Sequence, residues 1–228
     1  FGIQGVAVAG SQALVNCRTG IRFSVGQSYW SSAACSVRVM SQWPEHVRRI
    51  IAEQTDSALD EARRWDLTTR PHPTWILALR QTAARGRRGR RWHHPPGNFA
   101  ATVVLPRAGH PEDAAKRSFT AAIAVHMAIE DLIGTAEGVA VKWPNDVLID
   151  GTKVAGILLE RLGPGPGLAI GFGVNLVAAP DAVEVEPGAT PPGSILAARG
   201  VRISPEDFFD ALGPAFHAQE NIFLTYGF

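Results

Sequence analysis

The period of the apolar positions changes repeatedly along this chain, and those changes divide it into elements. Residues 49–54, 75–79 and 99–105 are short runs rich in Ile, Leu, Val and aromatic side chains, the length and composition of strands. Positions 57–65 suit a short helix, and the apolar spacing around 116–133 predicts a long one. Two brief strands are expected at 139–142 and 147–149, then a hairpin at Asp150-Gly151, because a type I′ turn needs positive φ at both central residues. Strands over 153–160 and 168–176 follow, then a Pro/Gly-rich loop over 178–193 and helices over 194–199 and 204–224. Strands and helices interleaved in this way predict an α/β (α+β) fold, a mixed β-sheet with packed helices. No internal repeat occurs.

Composition narrows the class without naming a chemistry. The chain has 228 residues, 46% hydrophobic and 19% charged, which suits one sizeable soluble core. A net charge of +1 implies no general affinity for nucleic acid or membranes. No apolar run approaches the roughly 18 residues of a spanning helix, and no secretory signal pattern opens the chain. Cys17 and Cys35 are too few for a disulfide framework and lack metal-ligand spacing, so a cytoplasmic protein is expected. His93, His94, His110 and His126 form no ligand set. Residues 1–39 contain no Asp, Glu or Lys and stand apart from the interleaved text after Met40. They read either as an extension outside the natural domain, the preferred view, or as a short β-rich element.

Charge matters where it clusters. Gln81-Thr82-Ala83-Ala84-Arg85-Gly86-Arg87-Arg88-Gly89-Arg90-Arg91-Trp92 joins planar cations that grip carboxylates and phosphates to glycines that let backbone bend round a ligand. So charged a loop is expected to be mobile until an anion neutralises it. Taken alone, the run reads first as a solvated basic loop or a nucleic-acid patch. In Lys142-Trp143-Pro144-Asn145-Asp146 a polar corner separates two apolar strands and is costly to bury unpartnered, which points it at a site. The hairpin then returns Lys153, whose ammonium can reach back towards that corner. In Ile170-Gly171-Phe172-Gly173-Val174-Asn175 alternating glycines thin one strand face and leave room for a flat ligand. Each of the last two fits a tight turn or close strand packing equally well.

In this order and spacing, the three segments resemble the catalytic domain of the biotin–protein ligase family, over residues 49–226. The resemblance implies a class II aminoacyl-tRNA-synthetase-like biotin/lipoate ligase catalytic fold. It further implies an enzyme that activates biotin with ATP and Mg²⁺ as biotinoyl-AMP. The biotinoyl group is then passed to a lysine of a biotin carboxyl carrier domain. Carried over residue by residue, Lys153 and Arg87 become the catalytic cations. Ser57, Ala58, Gln81, Arg85, Gly86, Arg87, Lys153, Gly156, Gly171 and Gly173 become the biotin side. Arg87, Arg88, Arg90, Trp92, Lys142, Asn145, Asp146 and Asn175 become the ATP side, with Mg²⁺ near Asp146.

Two segments depart from the family pattern. Asp56-Ser57-Ala58-Leu59 stands where the family carries Asp-Ser-Thr-Asn, so one hydroxyl expected on biotin's ureido ring is missing; Ala84 replaces the loop's usual first glycine. The missing hydrogen bond should weaken biotin by about 0.5–1.5 kcal/mol. Rival readings are a lipoate or octanoate ligase or transferase of the same fold, and a nucleic-acid module using the arginine loop. Residues 1–39 lack helix-turn-helix periodicity, so no DNA binding is expected. The catalytic domain is expected over 40–228. The family's small C-terminal β domain is expected beyond Phe228, which would leave Phe223, Leu224, Tyr226 and Phe228 short of covering.

Overall fold

The computed structural model describes residues 42–65, 67, 71–181 and 188–227. The proposed extension 1–39 lies outside them, as do Phe228 and the middle of the 178–193 loop. One seven-stranded sheet carries the fold, in the order β1-β2-β3-β7-β6-β5-β4. Its strands are β1 (Arg48–Ala52), β2 (Thr74–Ala78), β3 (Phe99–Leu105), β4 (Val139–Lys142), β5 (Asp146–Ile149), β6 (Thr152–Leu162) and β7 (Gly167–Val174). Only β1 and β2 pair in parallel, connected through the short helix α1 (Ala58–Arg63); the other pairs are antiparallel. This is the mixed sheet that the interleaved pattern predicts. Asp150 (φ 48°) and Gly151 (φ 77°) both take positive φ between β5 and β6, as the hairpin reading requires.

Two long helices, α2 (Pro111–Ile133) and α4 (Pro205–Tyr226), pack together over one face of the sheet; the short α3 (Ile195–Arg199) precedes α4. Trp75 centres this core, fully buried and stacked on Phe172 at 5.2 Å, with Trp43, Phe209 and Phe216 around its edges. Arg117 of α2 and Glu220 of α4 form a buried ion pair at 2.8 Å, and Arg117 also donates to the Ala108 carbonyl at 2.6 Å. On the opposite face α1 covers a smaller cluster, Leu59 and Ala62 against Ile76, Val104 and Ala169. The rest of that face is where the cavity lies.

Helix α2 starts five residues earlier than its apolar spacing suggests. Pro111 holds the N1 position and Glu112 and Asp113 fill the first turn, so proline geometry and the helix dipole extend it through a polar stretch. Phe223 is covered after all: it is buried, with the Arg117 guanidinium 4.9 Å from its ring centre. Leu224 and Tyr226 are exposed. Among the described residues no helix is long and apolar enough to cross a membrane.

Candidate active site

The floor of the site is set by strand register. Ala100, Gly173, Gly156 and Asp146 lie side by side across β3, β7, β6 and β5, and Thr102, Gly171 and Leu158 make the next row. Alternation along β7 sends Phe172 and Val174 into the core and leaves Gly171 and Gly173 on the other face. Lys153 would not share a face with Gly156 in a regular strand, because residues three apart point oppositely. The pairing of β5 with β6 shifts register between Val147 and Leu148, and Val154 and Ala155 are both buried. That bulge resets the phase. A Cβ on Gly156 would stand 3.4 Å from the Lys153 Cε, and the Lys153 ammonium lies 2.8 Å from the Asp146 carboxylate.

The arginine segment folds over this floor. Arg85 and Arg91 form a bridge, closed by Gly86 N–H to the Arg90 carbonyl (2.7 Å) and Trp92 N–H to the Ala84 carbonyl (3.0 Å). Residues Arg87–Gly89 make a single 3₁₀ turn, with Arg88 and Gly89 at positive φ. Arg85 is neutralised by protein carboxylates: it pairs with Asp60 at 2.7 Å and approaches Glu160 at 3.6 Å. Arg87 instead donates to the neutral Asn145 Oδ1 at 3.0 Å and keeps its charge for a ligand. Trp92, assigned from the sequence to the nucleotide side, lies on the glycine floor. A Cβ on Gly173 would come within 2.5 Å of its ring and one on Gly156 within 3.1 Å. Its indole N–H is buried without a hydrogen-bond partner.

At the α1 end the polar groups are mostly committed. Ser57 Oγ accepts from Leu59 N–H (3.2 Å) as the helix cap, and Gln81 Oε1 accepts from Ala58 N–H (2.8 Å). Hydrogen bonds from Arg64 and then from the Ser57 N–H hold the Asp56 carboxyl well below the usual carboxylate range. At the other end Lys142 donates to Thr190 Oγ1 (2.6 Å). Asn175 Nδ2 donates to the Gly193 carbonyl (3.0 Å). The Lys153 backbone holds the same segment through the Pro191 carbonyl and the Gly193 N–H. Asn145 Nδ2 donates to the Ile157 carbonyl (2.7 Å), which fixes the corner before β5. Burial lowers the His94 pKa, beside the loop.

Together these walls enclose a cavity of about 940 Å³, and every residue assigned to the biotin and ATP sides in the sequence lines it. Seven lysines and arginines face one carboxylate, Asp146, among the described lining residues, so the cavity suits an anionic ligand. Sequence reasoning missed several participants. Thr190 and Pro192 lie in an irregular loop with no periodicity to mark them, and Asp60 and Glu160 are ordinary charges until the fold brings Arg85 to them. Thr102 was hidden inside an apolar strand, where only strict alternation from Phe99 would have set it on the cavity face.

Over 157 residues the chain is 54% identical to the biotin–[acetyl-CoA-carboxylase] ligase of Paracoccus denitrificans, covering 68% of this chain and 65% of that protein. It is 32% identical over 164 residues to the bifunctional ligase/repressor BirA of Bacillus subtilis, covering 69% of this chain and 49% of that protein. The chain thus spans 65% and 49% of the length of these two relatives. Among solved structures, the biotin protein ligase of Leishmania major in complex with biotinyl-5-AMP superposes with a TM-score of 0.65 at 26% identity. That match covers 78% of this chain and 76% of that one. The fold is therefore the class II synthetase-like one of the biotin protein ligases. The model of the biotin/lipoate A/B protein ligase family matches residues 50–176, the stretch that holds the arginine loop, the Trp-Pro-Asn-Asp corner, Lys153 and the glycine strand, and the chain belongs to that family.

Proposed function

We propose that this protein is an ATP-dependent biotin–protein ligase. It would form biotinoyl-5′-AMP in the cavity and pass the biotinoyl group to a lysine of a biotin carboxyl carrier domain. One observation carries the reading: a glycine-floored slot runs into a cluster of cations that includes Lys153 and Arg87. Trp92 covers the floor at Gly173 and Gly156, while the Gly171 row beside α1 stays open to a flat, neutral head group; the cationic end suits a carboxylate beside phosphates.

In the first step a carboxylate oxygen of biotin attacks the α-phosphorus of ATP, and the bond to pyrophosphate breaks. Negative charge builds on the phosphoryl oxygens, where fixed cations act without reorganising. Lys153, held by Asp146, and Arg87, held by Asn145, are the groups we assign to that charge; Arg88, Arg90 and Lys142 serve the departing phosphates. Arg85, already paired with Asp60, anchors the loop. In the second step the uncharged ε-amine of the acceptor lysine attacks the anhydride carbonyl, and AMP leaves. A loop closed over the floor keeps water from the anhydride.

No set of three His, Cys, Asp or Glu able to hold a metal occurs among the described residues. Mg²⁺ enters the reading as part of the MgATP substrate, with Asp146 the carboxylate able to share it. Residues 40–228 are the catalytic domain in this account, acting in the cytoplasm, with the arginine loop serving a small anion and not DNA. Pyrophosphate exchange into ATP tests it: exchange should need biotin and should not respond to lipoate or octanoate. Exchange driven by lipoate or octanoate and not by biotin would transfer the assignment to the other branch of the family.

A further inference from the structure

Lys153 sits where the sheet has lost a strand on one side. Strand β7 ends at Val174, opposite Ala155, and so stops short of Lys153, whose other neighbour is Leu148 of β5. The register shift between β5 and β6 falls at this same point, so ladder pairing alone does not fix the residue. The segment Pro191-Pro192-Gly193 takes the place beside it. Lys153 N–H donates to the Pro191 carbonyl at 2.7 Å, and Gly193 N–H donates to the Lys153 carbonyl at 2.9 Å, which makes a parallel bridge between Lys153 and Pro192.

Gly193 seats this segment against β6. Its carbonyl accepts from Asn175 Nδ2 at 3.0 Å, and the next residue, Ser194, caps α3 through its Oγ. A Cβ on Gly193 would stand 2.3 Å from Thr152 Oγ1 and 2.7 Å from Thr152 Cβ, well inside contact distance. Its φ lies outside the left-handed region, so the close approach to Thr152, and not backbone strain, is what requires glycine there. The same segment reaches a second cation, since Thr190 Oγ1 accepts from Lys142 at 2.6 Å. Neither Pro191 nor Gly193 lines the cavity, so any effect they have on the chemistry passes through other residues.

We infer that Gly193 is a positioning residue for Lys153: it lets the Pro191–Gly193 segment lie against β6 and hold the Lys153 backbone where β7 has ended. The Asp146 carboxylate, 2.8 Å from the ammonium, then aims the side chain from a fixed base. The inference rests on the ligase reading of the cavity and adds to it a residue that touches no ligand. It also explains why a cation on an irregular stretch of strand can act without reorganising.

The test measures biotin-dependent pyrophosphate exchange in wild type, Gly193→Ala, Thr152→Gly and the double variant, with thermal unfolding as the check on folding. Gly193→Ala pushes the segment off β6, and a misplacement of about 1 Å can cost about 10²-fold in rate. It should therefore lower kcat by about 10- to 100-fold while KM for biotin stays nearly unchanged. Thr152→Gly removes the atoms nearest the new methyl group, so the double variant should regain most of the kcat of Thr152→Gly alone. In a Lys153→Ala background Gly193→Ala should cost no further rate, because its effect has already been removed; a merely structural defect would add to the loss. Should Gly193→Ala fail to fold, Pro191→Gly decides: it loosens the segment without a clash and should lower kcat in wild type and not in Lys153→Ala. Wild-type kcat in folded Gly193→Ala overturns the inference, and so do additive losses with Lys153→Ala. Wild-type protein that shows no biotin-dependent exchange overturns the functional reading itself, a separate result.

Discussion

Lys153 and His217 owe their behaviour to their neighbours. The Lys153 ammonium is held 2.8 Å from Asp146 and 5.8 Å from the centre of the Trp92 ring, a fixed cation on the cavity wall. Replacing it by Ala removes one preorganised positive donor, which typically lowers a rate by about 10²–10³. Lys153→Ala should therefore keep its fold and lose biotin-dependent pyrophosphate exchange by that factor; wild-type exchange would remove Lys153 from the chemistry. His217 lies in the core, where its Nε2 accepts from the Trp75 indole N–H at 3.0 Å and so must be unprotonated. Burial, helped by His46, lowers its pKa to about 4 from an ordinary 6.5. The unfolded chain then takes up a proton before the folded one does. Stability should be full above pH 6.5, fall as pH drops from 6.5 to 4, and lose roughly 3 kcal/mol across that window. Urea unfolding at pH 7 and pH 4.5 measures this. His217→Gln, whose amide oxygen can accept the same bond without titrating, should show a smaller drop; an equal one would place the pH response elsewhere.

Among the elements, β6 and β7 make the site, and their parts were unequally readable. The glycines of β7 and the Asp150-Gly151 turn were legible because each has a local backbone reason to be there. So was the sheet itself, since strands β3 and β4 have the bounds their apolar runs predict. The bulge in β6 was not legible. Val154-Ala155 looks like any apolar pair, and only the partner strand reveals that both turn inward and reset Lys153 onto the cavity face. The resting place of Trp92 was equally hidden, because its contact with Gly173 joins segments some eighty residues apart. That contact has a measurable consequence. Gly173→Ala puts a Cβ within 2.5 Å of the indole, so the ring must leave the floor and the arginine loop loses an anchor. Trypsin should cut the loop arginines faster in Gly173→Ala than in wild type, and biotin with MgATP should protect wild type better. Identical cleavage in both proteins would mean that the indole does not secure the loop.

For the whole molecule, the sheet separates two tasks: α2 and α4 stabilise one face, and the other face holds the cavity. The buried Arg117–Glu220 pair ties those helices together. Glu220→Ala leaves a buried, unpaired guanidinium and should cost about 3–5 kcal/mol in urea unfolding. Because the pair lies on the far face, the folded fraction should still bind biotin with wild-type affinity; a large loss of affinity would mean that the two faces are coupled. In the proposed function the cavity is where biotin would be joined to AMP and the product kept. Mass spectrometry of the protein under native conditions, after incubation with biotin and MgATP, tests that most directly. The account predicts a bound species of the mass of biotinoyl-AMP, formed only when biotin and ATP are both present and nearly absent in Lys153→Ala. Wild-type protein that emerges with biotin and ATP separately bound, or with neither, would contradict it.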